Sequence, residues 1–393
     1  MQAIDFVDSW YYGTTYHVFL LLLSWFTVIY YIGSGGQKLL RSQGNPMQGV
    51  ALLLTVLMIV FLGLRPDGPA FVDSSSYRDT YIFLVQEGEY DPISFHSEWL
   101  WQNMTVFFKT IGLNYHEYFL IVEFFYLGGM FLVSLLLLRN NLWMAMLFFF
   151  TAFSTYSYGI NGIRNGMACS IELIAVALIA INRKYWPATL LLSFLAMGIH
   201  RSTMLPTAAV LASAFVIKEP KIAIRFWLIA IAISLIGGPY VAQFFASLGF
   251  DDRMNEYTSN IQEEDAITGI STSFRWDFLF YSIWPVIITW YLTMHRKFND
   301  KTFNVIASTY ILCNAFWIMV IRASFSNRFA YLSWFLYPLV IAYPFFRMNL
   351  WKDQDRKTAL IFFLYSGFEF FMFFIYYFGT ISGFRGFNQY WWR

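Results

Sequence analysis

Charge is scarce in this sequence: of 393 residues only 13% are Asp, Glu, Lys or Arg, whereas 58% are hydrophobic. That charged share is about half of what a soluble domain carries, and a water-soluble fold of this length has no use for so much apolar surface. Cysteine is equally sparse. The two present, Cys169 and Cys313, lie inside apolar stretches, which excludes a disulfide framework and a thiolate-held structural metal. Also missing are a glycine-rich nucleotide loop, a His-Glu-x-x-His pair and a Gly-x-Ser-x-Gly elbow, so ATP-driven transport and metallohydrolysis have no support. Met1 to Tyr16 hold Asp5 and Asp8 but no Lys or Arg. They lack the basic start of a cleavable signal peptide, and the first apolar run is expected to stay. The single Asp-x-Asp, Asp353-Gln354-Asp355, sits among Lys352, Arg356 and Lys357 and reads as a solvated charge run.

What the sequence does have is a succession of apolar runs, mostly about 17 to 23 residues long, the length that crosses a bilayer. They fall near 17–33, 48–64, 117–138, 142–158, 162–182, 186–199, 203–217, 223–240, 275–294, 302–321, 328–346 and 358–380. The fold class that follows is all-α: a polytopic integral membrane protein of about 12 transmembrane helices, one membrane domain over 1–393. Basic residues collect in alternate loops: Lys38 and Arg41; Arg139; Arg183 and Lys184; Lys218, Lys221 and Arg225; Arg296, Lys297 and Lys301; Arg347, Lys352, Arg356 and Lys357. Those loops are expected in the cytoplasm, which places both termini and the acidic loops outside. Two of the extracytoplasmic loops, 65–116 and 241–274, are long enough for structure of their own. In the first, Asp73 or Ser74 is expected to cap a helix with Tyr77, Tyr81, Leu84 and Val85 on one face, ending at Gly88. Leu100, Met104, Phe107, Phe108 and Ile111 have the spacing of a second helix lying in the membrane interface.

The most informative pattern lies where odd-numbered spans begin on the outer side. The starts read Asn161-Gly162-Ile163-Arg164, His200-Arg201-Ser202-Thr203, Ser271-Thr272-Ser273-Phe274-Arg275 and Ser326-Asn327-Arg328. An arginine there opposes the helix dipole, at about 0.3–1 kcal/mol per charge, and opposes the preference for basic residues inside. Repeating the arrangement four times calls for an anion. Helix-start amides with guanidinium forks suit phosphate, and arginine is preferred to lysine where two-pronged contact matters. Arg65, Arg78 and Arg322 can join that face, whereas Lys109 is its only lysine. The competing reading pairs each arginine with a carboxylate such as Asp73, Asp79 or Asp277, or lets it snorkel to headgroups.

His200 stands at a helix end beside these cations. It reads either as a hydrogen-bonded surface group or as a base, because an imidazole titrates where base catalysis operates. Glu123, Glu172 and Glu369 lie inside apolar spans and read first as hydrogen bonders that lock the bundle, second as a relay. The aromatics, Tyr390, Trp391 and Trp392 among them, read as an interface belt and helix packing, with stacking on sugar rings as the functional alternative.

Leu64-Arg65 followed by Asp73 and Tyr77, then Gly162-Ile163-Arg164-Asn165-Gly166-Met167-Ala168, then Gly198-Ile199-His200-Arg201-Ser202, and Asn327-Arg328-Phe329-Ala330-Tyr331 together resemble the EpsG-like, Wzy-type polysaccharide polymerases over about 60–340. Asn165 departs from the Gln common there but still offers an amide. The resemblance implies a GT-C-type membrane glycosyltransferase, inverting and metal-independent, with no cofactor. It would polymerise undecaprenyl-pyrophosphate-linked repeat units of an O-antigen, capsule or exopolysaccharide on the outer face of the bacterial cytoplasmic membrane. Its partners would be lipid-linked glycans as donor and acceptor, membrane lipid, a chain-length regulator and a flippase, with no nucleic acid. Arg164, Arg201 and Arg328, with Arg65 and Arg275, would hold the pyrophosphate. His200 or Asp73 would serve as base, and Arg78, Asn165 and Tyr77 would contact substrate. The rival readings are a lipid-linked oligosaccharide flippase, against which the absence of mid-span arginines argues, and an O-antigen-ligase-like transferase with the same donor.

Overall fold

A computed structural model describes residues 3–33, 47–68, 70–83, 98–217, 219–247, 274–322 and 327–381. All regular structure among the described residues is helical. In chain order the helices are α1 (Ser9–Gly33), α2 (Met47–Gly63), α3 (Val72–Phe83), α4 (Trp99–Thr110), α5 (Tyr115–Leu138), α6 (Leu142–Thr151), α7 (Phe153–Ile160) and α8 (Ile163–Ile181). There follow α9 (Trp186–Ile199), α10 (Met204–Phe215), α11 (Pro220–Ser247), α12 (Trp276–Trp290), α13 (Lys301–Met319), α14 (Asn327–Trp334), α15 (Tyr337–Arg347) and α16 (Gln354–Ile381). The chain divides into two compact units, unit 1 from Met1–Ile174 with Ala342–Arg393 and unit 2 from Ala175–Ile341.

Each of the twelve expected spans is helical, but they do not all have crossing length. Among the described residues seven helical stretches are long and apolar enough to cross a membrane. At 1.5 Å per residue α9 and α10, of 14 and 12 residues, reach roughly 21 and 18 Å, short of a hydrocarbon core of about 30 Å. The expected loop 241–274 begins later than its composition suggested, because α11 continues to Ser247 past a kink at Gly237; residues 248–273 lie outside the described set. Of the crossing-length helices α8 and α13 are mostly buried, whereas α1 turns a large apolar face outward. On α1 the inward side is Tyr12, Tyr16, Leu20, Ser24, Val28 and Tyr31, at the three- and four-residue spacing of one face, while Phe19, Leu22, Phe26 and Ile29 are exposed.

Two expected spans are broken. The run 328–346 divides into α14 and α15, and 142–158 divides into α6 and α7 at Ala152, whose φ −57° and ψ 126° are extended rather than helical. A break at membrane depth frees polar backbone groups where no water can reach them. In unit 1 four of the freed groups meet a side chain. The Phe148 carbonyl accepts from the Tyr365 hydroxyl at 2.9 Å, that of Phe149 from Thr155 Oγ1 at 2.7 Å, and that of Phe150 from the Tyr16 hydroxyl at 2.9 Å. The Phe153 N–H donates to Glu369 Oε2 at 2.7 Å. Glu369 is therefore a bundle-locking group, serving a backbone amide that α6 cannot serve.

Between α4 and α5 the chain turns by a glycine device. Gly112, at φ +88°, adopts the left-handed conformation that ends helices. Its N–H reaches the Lys109 carbonyl and that of Leu113 reaches Phe108. Asn114 then starts α5 with a capping box, its side chain accepting from Glu117 N–H while Glu117 accepts from Asn114 N–H. On α4 Trp101, Thr105 and Val106 are buried, whereas Phe107 and Ile111 of the expected interfacial stripe are exposed.

In unit 2, α13 packs against α10, α11, α12 and α14. A buried polar line joins three of these helices: Trp227 Nε1 donates to Asn314 Oδ1 at 2.7 Å, Asn314 Nδ2 donates to Ser333 Oγ at 3.0 Å, and Ser333 Oγ donates to the Ala330 carbonyl at 2.8 Å. Next to it Trp334 Nε1 donates to Ser282 Oγ at 2.8 Å. These bonds fix the position of α14, a helix too short to hold itself. Asn314→Leu is expected to destabilise the fold by about 1–3 kcal/mol for each buried partner left without its bond, read by denaturant unfolding of the purified chain in detergent.

Candidate functional site

The two units carry different groups of the residues singled out from the sequence. In unit 1, Arg65 lies two residues past the end of α2 but is only 2% exposed. Its Nη1 donates to the Leu62 carbonyl at 2.7 Å, its Nε donates to Ser74 Oγ at 3.0 Å, and its guanidinium lies 4.5 Å from the centre of the Phe119 ring. Glu123, fully buried on α5, is the carboxylate facing it at 3.8 Å. Burial pulls the arginine below its ordinary pKa, and the Glu123 charge opposes that shift. Ser74 passes the chain on by donating to the Ile160 carbonyl. Asp73 and Ser74 thus lie in the first turn of α3, which starts at Val72, rather than capping it. The Ser74 hydroxyl is spent on tying α3 to the end of α7. Leu84, Val85 and Gly88, expected on the same helix, are outside the described residues.

The tie matters because Ile160 is followed by the Asn161-Gly162 corner and by Arg164 in the first turn of α8. Arg164 forms an ion pair with Glu98 beside the start of α4, and its guanidinium lies 6.0 Å from the centre of the Tyr77 ring on α3. Tyr77 in turn meets Trp101 edge-on at 5.7 Å. Three chain segments thereby converge on one guanidinium, one carboxylate and two aromatic rings. Asn165 is buried, accepting from the Cys169 thiol at 3.2 Å one turn further on. Arg78 stands apart on the exposed side of α3, bonded to Asp79 at 2.9 Å and paired with Asp67 at 3.0 Å. Those carboxylates hold its pKa above the ordinary value, the Asp79 bond most of all.

In unit 2, His200 ends α9 and caps the short 3-10 turn Arg201–Thr203 that leads into α10. Arg201 is exposed. Ser202 lines a small pocket with Met204, Leu205, Phe316, Phe329 and Leu332. Phe329 belongs to the first turn of α14 and follows Arg328, so the two segments carrying Arg201 and Arg328 pack at one pocket. Arg275, at the start of α12, is engaged otherwise: it bonds Asp277 through both Nε (3.0 Å) and Nη2 (2.6 Å) and covers the Phe278 ring at 3.7 Å. Arg322 lies 5.9 Å from the Phe274 ring. The serines expected to cap α12 and α14, Ser271, Ser273 and Ser326, lie outside the described residues.

Carboxylate pairing is thus the observed state for Arg65, Arg78, Arg164 and Arg275. The sequence concealed this where partners are distant: Glu98 lies 66 residues from Arg164, and Glu123 reads alone as a mid-span carboxylate. Glu98 is the addition to the site that spacing did not flag. Its one legible signal is the acidic residue before the Trp99-Leu100-Trp101 start of an amphipathic helix.

A family model described as the EpsG family matches residues 50–392. No curated protein and no solved structure matches the chain.

The buried Arg65–Glu123 pair gives a prediction of sign. Arg65→Met strands a buried carboxylate and is expected to destabilise the chain by about 3–5 kcal/mol, whereas Arg65→Met with Glu123→Met recovers most of that loss. Denaturant unfolding of the two single variants and the double variant in detergent measures this as a double-mutant cycle.

Proposed function

The chain belongs to the EpsG family, and on that premise we propose that it is a membrane glycosyltransferase that polymerises undecaprenyl-pyrophosphate-linked oligosaccharide units. The observation that carries the reading is the unit 2 pocket, where the His200–Ser202 segment meets the start of α14. Ser202 and Phe329 line it; His200 and Arg201 come just before Ser202 in the chain and Arg328 just before Phe329, which supports assigning the imidazole and the two guanidinium groups to a substrate bound nearby.

The transfer requires little of the protein beyond charge and position. The acceptor hydroxyl oxygen bonds to the anomeric carbon of the donor from the face opposite the pyrophosphate, inverting that centre. The bond from that carbon to the phosphate oxygen breaks, and the pyrophosphate leaves with the electron pair. Arg201 and Arg328 are assigned to the growing negative charge, where preorganised donors are worth most. His200 is assigned to the acceptor hydroxyl. Unit 1, taken by itself, carries its own candidates for a phosphate and a sugar: Arg164 beside the Tyr77 ring, the amide of Asn165 and the carboxylate of Asp73. Arg65, Arg78 and Arg275 act in this scheme as positioning residues, because burial with Glu123, the bonds to Asp79 and Asp67, and the two-pronged bond to Asp277 already commit their guanidinium groups. The basic loops support a reaction on the outer face of the bacterial cytoplasmic membrane, with both termini outside. A chain-length regulator and a flippase are the partner proteins expected around it.

A second reading, a lipid-linked oligosaccharide transporter, draws on the broken helix at Ala152, since discontinuous helices are common in transporters. Purified chain in liposomes with lipid-pyrophosphate-linked repeat units, without added nucleotide or metal, separates the two. The polymerase yields a product ladder, and Arg201→Ala and Arg328→Ala each lower its rate by about 10²–10³. Movement of the lipid-linked substrate across the bilayer with no ladder would overturn the polymerase in favour of the transporter.

A further inference from the structure

The pairs made by Arg65, Arg78, Arg164 and Arg275 differ in what a ligand could do with them. Arg65 and Glu123 are sealed inside unit 1, at 2% and 1% exposure. Arg78 pairs with Asp67 and Asp79, both about half exposed, and solvated pairs constrain little. Arg275 closes on Asp277, two residues along the chain, through both Nε and Nη2. The Arg164–Glu98 pair of unit 1 is different. Both side chains are 17% exposed, and Arg164 engages the carboxylate through Nη1, while its Nε is buried and makes no hydrogen bond. In the same corner, three residues earlier, Asn161 ends α7 with its Oδ1 also buried and unbonded. Buried polar atoms of this kind call for a partner.

The chemistry of that partner follows from the charges. Guanidinium and carboxylate cancel, so the pair as a whole offers an anion little. A phosphate, with acceptor oxygens only, would have to expel Glu98 from Arg164 and leave the carboxylate without its cation, the costly half of a broken pair. An alcohol both donates and accepts. It can give its hydrogen to the carboxylate, take the Arg164 Nε–H and serve the Asn161 amide in either orientation, with the ion pair intact. Beside these groups stands the part-buried Tyr77 ring, 6.0 Å from the guanidinium, braced edge-on by Trp101 of α4. Adjacent hydroxyl groups above an apolar C–H face are what a sugar presents, and an aromatic body with a few fixed polar groups is the lining that suits it.

We infer that Glu98 and Arg164, with Asn161 and Tyr77, form a subsite for the hydroxyl groups of a neutral sugar and not for phosphate, and that Glu98 is its specificity-determining residue. The inference rests on the polymerase reading for the source of the sugar, the repeat unit of the lipid-linked substrate. Arg164 then serves the glycan while its charge stays with Glu98.

Calorimetry on the full-length chain in lipid nanodiscs tests this with two probes: the repeat-unit oligosaccharide, freed of lipid and pyrophosphate by mild acid, and inorganic pyrophosphate. Glu98→Ala is expected to lower affinity for the oligosaccharide about tenfold to a hundredfold, the size of a hydrogen bond to a charged group. Glu98→Gln keeps an accepting oxygen and the same shape, so its loss should be smaller, about threefold to tenfold, the size of a neutral bond. Tyr77→Leu should also cost about threefold to tenfold, the worth of an aromatic contact. Arg164→Gln should lower oligosaccharide affinity and leave pyrophosphate affinity within about twofold, as for a site with no shared partner. Pyrophosphate affinity that falls by about tenfold or more in Arg164→Gln would overturn the inference. So would an oligosaccharide that wild type does not bind, or one whose affinity the Glu98 and Tyr77 variants leave unchanged. A wild-type chain that binds the oligosaccharide in the expected pattern, yet forms no polymer from lipid-linked units, would remove the polymerase reading and leave the sugar subsite standing.

Discussion

A helix cannot stop inside a bilayer without passing its last carbonyls and the next free amide to other groups. Unit 1 is organised around that constraint at Ala152. Tyr16, Thr155 and Tyr365 take three of the carbonyls and Glu369 takes one amide, so the break is held by side chains from α1, α7 and α16. Because α7 is released from the line of α6, it can deliver Ile160 to Ser74, and Ser74 joins it to Arg65. Arg164 enters four residues after Ile160, next to Tyr77 and Glu98. The position of one guanidinium thus depends on a backbone defect in the middle of the unit and on four polar side chains that repair it. Close helix approach does the rest: a Cβ on Gly63 of α2 would lie 2.7 Å from the Leu120 Cα of α5.

Unit 2 solves a similar problem by different means. Its short helix α14 has little packing surface of its own, and it is held by Asn314 and Ser282 through Ser333 and Trp334. Those bonds sit among residues that are otherwise apolar or aromatic, where an unpaired partner is expensive and a paired one admits a single register. His200 closes α9 through its N–H and starts the next turn through its carbonyl, so its backbone is bonded on both sides.

How much of this could be read from the sequence depends on distance along the chain. Helices were legible because apolar runs and helix-start residues are local signals, though α1 begins at Ser9, eight residues before the expected 17, and α11 runs to Ser247, past the expected 240. The arginines at the starts of α8 and of the turn before α10, and in the first turn of α14, were legible for the same reason, and so was Glu369 as a locking group. The breaks at 152 and 335 were not: Ala152 carries no glycine or proline signature, and the groups that make its extended backbone tolerable come from residues 16 and 365–369. Pairing was equally hidden. Arg65 reads as a ligand for phosphate until Glu123 is found beside it, 58 positions away, and Ser74 reads as a cap until its hydroxyl is found on Ile160. Length misled in another way, since α9 and α10 have the composition of spans without the reach.

The repaired break also orders the birth of the molecule. Unit 2 is one continuous stretch of chain, whereas unit 1 consists of an early part and a late part, with unit 2 between them. Tyr365 and Glu369, which complete the repair at Phe148 and Phe153, belong to the late part. During synthesis the ribosome must emit roughly two hundred residues between the break and its last two partners. Through that interval the Phe153 amide needs a temporary host, in the insertion machinery or in water held at the half-built bundle. The early part of unit 1 is therefore a waiting form, and unit 2 can complete its own bonds while that form persists.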